Sequence, residues 1–116
     1  MAQIAITNEE IKAHAFLADM YANNQYPRHL VDKARAILMD LCAKIETKTP
    51  KKLEDLYDLT HRATDSFNDL QDEFKAKKSK YDSVAAKNIG EDFAFIASTY
   101  GYFEADDEEL TGPREW

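Results

Sequence analysis

LEDLYDLTHRATDSFNDLQDEF, residues 53–74, decides the fold. Its seam reads Leu53, Leu56, Thr60, Ala63, Phe67, Leu70 and Phe74, with steps of three and four alternating without a miss. That is the period of a helix laid into an antiparallel bundle. Tyr57 widens the seam. The opposite side carries Asp58, His61, Asp65, Asp69 and Asp72 at the same spacings, so one helix separates an apolar face from an acidic one.

Working upstream, Thr49 reads as the cap of this helix, with Pro50 at its first position. Before it, Leu30, Val31, Ala34, Ile37, Leu38, Leu41, Cys42 and Ile45 keep helical spacing for more than four turns. Pro27 suits the first turn of that helix, and Tyr26 before it is biased to extended backbone. Thr47-Lys48-Thr49 breaks the pattern. A further helix is expected from Asn8 to Asn23-Asn24. Thr7 and Glu10 have capping-box spacing, with Asn8 as a rival cap. Ile11, Ala15 and Ala18, flanked by Phe16, Leu17, Met20 and Tyr21, give it an apolar side.

Downstream, Lys75-Ala76-Lys77-Lys78-Ser79-Lys80 closes the central helix with positive charge, which the backbone dipole favours. The next helix starts at Asp82 or Ser83 and carries Val84, Ala85, Ile89, Phe93, Ile96, Ala97 and Tyr100. Gly90 inside it implies close packing or a break, and Gly101 is its natural stop. The acidic stretch from Phe103 to Trp116 has room for one short helical turn between Ala105 and Leu110, ended by Gly112-Pro113. Trp116, the only Trp, is expected to dock on the bundle. The predicted fold is all-α: residues 1–116 form a single helical domain, a four-helix up-down bundle with a short C-terminal extension.

Composition agrees. A chain of 116 residues buries roughly 65% of its unfolded surface, so it folds without disulfide or metal. Three Gly and three Pro are too few for the turns of a β-sandwich. Net charge is −7, from 22 acidic and 15 basic residues. Such a surface repels phosphate backbones, which argues against nucleic acid and makes basic proteins the natural complement. Met1 to Thr7 lacks the features of a signal peptide, and no apolar run reaches membrane-span length, so a cytoplasmic location and no membrane partner are expected.

The usual constellations of catalysis are absent. Three scattered glycines make neither GxxxxGK nor GxGxxG, and there is no CxxC, HExxH or GxSxG. Cys42 lies on an apolar stripe, where a buried thiol is expected. His14, His29 and His61 are the histidines. His61 has the most company, with Asp58, Asp65, Asp69 and Asp72 recurring at three- and four-residue steps, an arrangement that can hold a divalent ion. Di-metal helical sites place their ligands inward, however, and this row points outward. No catalytic residue, metal or cofactor is therefore expected.

Phe16-Leu17-Ala18-Asp19-Met20-Tyr21, Tyr26-Pro27, Leu30-Val31-Asp32-Lys33, Leu59-Thr60-His61, Ala63-Thr64, Phe67-Asn68 and Leu70 resemble a family of small bacterial helical proteins designated a domain of unknown function. Asp92-Phe93, Phe95-Ile96-Ala97, Tyr100-Gly101 and Arg114-Glu115-Trp116 extend the resemblance over nearly the whole chain. No catalytic residues are assigned to that family, so the resemblance carries none over. The chain departs from that pattern around Ser79 to Ala86, where more acid is expected and Lys78, Lys80 and Lys87 occur. In size and charge it is also similar to immunity proteins of bacterial toxin systems, such as contact-dependent growth inhibition.

The leading functional expectation is an immunity-type inhibitor that neutralises a cognate toxin, such as a nuclease, by direct protein contact and is not itself an enzyme. The partner would be a basic toxin domain. It would meet Asp58, His61, Asp65, Asp69 and Asp72, with Asp106, Asp107, Glu108 and Glu109 as a second patch. Monomer and homodimer both suit the stripes. The alternatives are a helical adaptor or subunit with no toxin partner, and a metal-binding protein centred on His61.

Overall fold

A computed structural model describes residues 6–79 and 81–116. The first five residues, most of the Met1–Thr7 stretch, and Lys80 of the lysine run lie outside the described residues. The described chain is all-helical: α1 (Glu9–Ala13), α2 (Ala18–Tyr21), α3 (Arg28–Lys48), α4 (Leu53–Ala76), α5 (Ser83–Thr99) and α6 (Asp107–Leu110). No helix is long and apolar enough to cross a membrane.

The central seam buries as expected. Leu56, Thr60, Ala63, Phe67, Leu70 and Phe74 are buried, joined by Leu59 and Thr64 on the flanks. α4 lies along α3, while α5 packs on α1, α2 and α6. Phe67, Phe74, Phe93, Leu38, Leu41 and Ile96 belong to one apolar cluster. Cys42 is in that cluster and fully buried.

The first predicted helix is corrected by the structure. It is two short pieces, α1 and α2, separated at His14 to Leu17. At 100° per residue, Ile11 and Met20 would face opposite sides of a continuous helix, about 180° apart. Breaking the helix lets Ile11, Phe16, Leu17 and Met20 all bury. The cost is a left-handed Leu17, at φ 57°, unusual for a residue with a branched side chain. Burial of the Leu17 side chain and a 2.7 Å hydrogen bond from its N–H to Asp92 Oδ2 hold it there.

Several helix ends also differ from expectation. Asn8, not Thr7, caps α1, its Oδ1 accepting from the Ile11 N–H at 3.1 Å. α4 begins three residues beyond Pro50, with Lys52 at its N-cap, and Thr49 is instead the left-handed C-cap of α3. α5 starts at Ser83, one of the two expected positions, with Asp82 as its N-cap. Gly90 neither breaks α5 nor packs closely, because a Cβ there would meet nothing within 4 Å. Gly101 stops the helix at φ 90°, a conformation that Gly adopts without strain.

Polar side chains from α3 and α5 clamp the segment that precedes α3. Glu46 accepts from the Thr7 and Asn8 N–H groups and from the hydroxyls of Thr7 and Tyr100. Asn88 accepts from the Met20 N–H at 3.2 Å. Buried Asp92 takes the Leu17 N–H and the His14 ring. Asp82 takes the Tyr26 hydroxyl and the Gln25 amide. Asn88 and Asp92 satisfy the Met20 and Leu17 N–H groups that the broken helix leaves free, while Glu46 and Asp82 hold the two ends of the segment. Burial by itself would raise the pKa of Glu46, but its donors outweigh that and lower it from 4.5 to about 2.

Phe67→Ala and Leu41→Ala should each lower unfolding free energy by roughly 2–5 kcal/mol in urea titrations, because both side chains are buried in the core. Asp65→Ala should stay within about 0.5 kcal/mol. Glu46 has a depressed pKa, so its contribution is fully present above 4.5 and declines as pH falls toward about 2. Stability measured between those limits should fall less steeply for Glu46→Gln than for the parent protein; parallel curves would contradict the clamp.

Candidate functional site

The side of α4 away from its seam is set by helix geometry. At 100° per residue, Asp58, His61, Asp65, Asp69 and Asp72 fall within an arc of about 80°. The structure leaves Asp58, Asp65, Asp69 and Asp72 exposed and His61 half-buried. Among the described residues, no ion pair or side-chain hydrogen bond engages those four aspartates. This separates them from Glu46, Asp82 and Asp92, whose carboxylates are tied into the fold.

His61 has a different role from its neighbours. Its Nε2 lies 2.7 Å from the backbone carbonyl of Glu109. A carbonyl can only accept, so Nε2 carries the proton and donates. The ring also stacks on Tyr57, with centroids 6.1 Å apart, and Nε2 is 3.7 Å from the Glu109 carboxylate. His61 therefore fastens α6 to α4. That bond engages Nε2, and among the described residues no three His, Cys, Asp or Glu side chains converge as a metal site.

The second acidic patch is thereby brought beside the first. Asp106 caps α6 through the Glu108 and Glu109 N–H groups, and its own N–H donates to the Tyr57 hydroxyl at 3.0 Å. Asp107, Glu108 and Glu109 form the first turn of α6 and are exposed. Leu110, the last residue of α6, and Thr111 after it are buried. Thr64 Oγ1 donates to the Leu110 carbonyl, Asn68 Nδ2 to the Pro113 carbonyl, and the Glu115 N–H to Asn68 Oδ1. Trp116 docks as expected, edge-on to Phe67 at 6.2 Å and to Tyr81 at 5.9 Å. The anchoring roles of Thr64 and Asn68 escaped sequence reading. Their only signal was two small polar residues lying between seam and acid row.

The face has a positive border. Lys48, Lys51, Lys52 and Arg62 line an open cleft of about 530 Å³ at the α3–α4 turn, with Asp55 and Asp58 on its wall. Asp58 thus sits where the acidic surface meets a basic one. Asp65, Asp69 and Asp72 continue along α4 away from that turn.

Two internal groups could in principle carry chemistry. Burial, reinforced by the Glu46 charge, pushes the Cys42 thiol up to about 12, so it is protonated and unreactive at neutral pH. Burial also raises the pKa of Asp92, against the pull of His14 and the Leu17 N–H. The His14 ring stacks on Phe95 at 3.9 Å and meets Phe16 edge-on at 4.4 Å. That arrangement fixes the Asp92–His14 pair within the packing.

The tail contacts yield a further prediction. Trp116→Ala should cost about 1–3 kcal/mol in urea titrations, because it removes ring packing on Phe67 and Tyr81. Hydrogen exchange of the Leu110 and Thr111 amides should accelerate in the same variant. Unchanged exchange would mean that His61, Thr64 and Asn68 hold the tail without it.

The sequence matches the Family of unknown function (DUF5713) over residues 10–116. No curated protein and no solved structure matches the chain. The family match runs from the second residue of α1 through the docked Trp116 and takes in every element of the acidic face. The chain belongs to the DUF5713 family.

Proposed function

We propose that this protein is an acidic binding protein of immunity type, which neutralises a cognate toxin domain by direct contact and performs no catalysis itself. The observation that carries the reading is the set of exposed carboxylates on α4 that the fold does not use. Carboxylates held on a stiff helix, next to the acidic α6 turn, complement a basic surface such as the substrate groove of a nuclease. Like-sign repulsion disfavours acidic partners and nucleic acid. The scaffold in this reading is an up-down bundle, with the α1–α2 arm standing in the place of its first helix. The site of action is the cytoplasm, where a toxin domain must be met before it reaches its target.

The reading needs no change of shape on binding. α4 is 24 residues long and anchored along its seam, so its carboxylates are presented in fixed register. Their benefit to a partner is chiefly in the rate of encounter and in selectivity, since exposed charges add little stability of their own.

The test is co-expression with toxin domains encoded beside this gene, followed by binding of the purified pair. Growth should be rescued by the parent protein. Replacing Asp65, Asp69 and Asp72 together by Asn should slow association about tenfold at low salt, with the difference closing as ionic strength rises. Failure of every such neighbour to be neutralised would refute the immunity reading. Unchanged association by the Asn variant would move the interface off α4.

A further inference from the structure

Phe103 is the aromatic side chain that the fold leaves out. Every other Phe, Tyr and Trp is buried or half-buried, whereas Phe103 keeps 81% of its surface in water. A single exposed apolar residue needs no explanation in general. The setting of this one is unusual in two respects.

The first is rigidity. Phe103 sits in a turn closed by the Ala105 N–H donating to the Tyr102 carbonyl at 3.1 Å. On one side, Gly101 at φ 90° lets the Tyr102 N–H reach the Ala97 carbonyl at 2.9 Å. The Tyr102 hydroxyl donates to the Pro50 carbonyl at 2.5 Å. On the other side, the Asp106 N–H is held by the Tyr57 hydroxyl. A pinned turn loses little conformational entropy when its tip is bound.

The second is charge. Exposed Glu104 and Asp106 to Glu109 follow Phe103, and no Lys or Arg occurs from Asn88 to Pro113. The turn is joined to α4 through Tyr57, next in sequence to Asp58, and to Pro50 through Tyr102, so it stands where the acidic face meets its Lys48, Lys51 and Lys52 border.

We propose that Phe103 is the anchor of this face, inserting into an apolar socket rimmed by Lys and Arg on a basic protein domain. The inference rests on the partner-binding reading above and names the chemistry of that partner's surface. Interfaces concentrate their binding energy in a few aromatic anchors that are desolvated inside a polar rim. Rim cations can also approach the ring face. A second copy of this chain is the wrong occupant, because a two-fold contact centred on Phe103 would set one Glu104–Glu109 run against its equal.

The test compares the parent protein, Phe103→Ala and the Asp65, Asp69, Asp72 to Asn variant, each against the neighbour-encoded toxin domain at low and high salt. Phe103→Ala should melt within about 3 °C of the parent, because the ring is exposed. It should bind more than about 30-fold more weakly, through faster dissociation and with unchanged salt dependence. The Asn variant should instead associate more slowly and with weaker salt dependence. Phe103→Ala binding within about threefold of the parent overturns the anchor, while weakening in the Asn variant keeps the acidic face. Failure of the parent protein to bind overturns both. Sedimentation showing a dimer that Phe103→Ala dissolves would make a second copy the occupant and overturn the assignment to a basic domain.

Discussion

Burial of one side of α4 is the constraint on which the rest depends. Phe67 packs among Phe93, Tyr81 and Trp116, and Leu56, Leu70 and Phe74 extend the contact along the helix. Once that seam is fixed against the core, helical geometry leaves no choice about the opposite side. Asp65, Asp69 and Asp72 must face water, evenly spaced and held by a rod that cannot rotate without exposing Phe67.

Carboxylates in this molecule fall into two populations with different physics. Glu46, Asp82 and Asp92 point toward the N-terminal arm, Asp92 holding a donor released where the arm breaks and the other two holding its ends. Their placement lets a segment with mismatched helical phase still bury Ile11, Phe16, Leu17 and Met20. The outer aspartates satisfy nothing within the described residues. Acidic residues add to a net charge of −7 that disfavours compactness, so an unengaged row on one face is a cost to folding. In the proposed reading, recognition of a positively charged protein offsets it.

The long helices were legible because each carries more than four turns of unbroken apolar spacing, as in Leu30 to Ile45 and Leu53 to Phe74. The α1–α2 break was not, since Phe16-Leu17 looks like ordinary helical content. The deciding partner, Asp92, lies 75 residues away from Leu17. For the same reason, the sequence could place His61 on the acid row but could not show its ring bonded to the Glu109 carbonyl. The joining of the two acidic patches through Tyr57 and His61 is a tertiary fact. In the sequence Phe103 is only the start of an acidic stretch, because exposure of an aromatic ring has no local sequence signature.

The central claim is that the acidic side of α4, continued by the turn before α6, is where a basic protein partner sits. Backbone amide NMR spectra recorded while the neighbour-encoded toxin domain is added test it most directly. Shifted and broadened resonances should cluster at residues 58–72 and 103–109, leaving the α1–α2 arm and the outer side of α3 unperturbed. Perturbation concentrated on α3 or the arm instead, with α4 silent, would contradict the account.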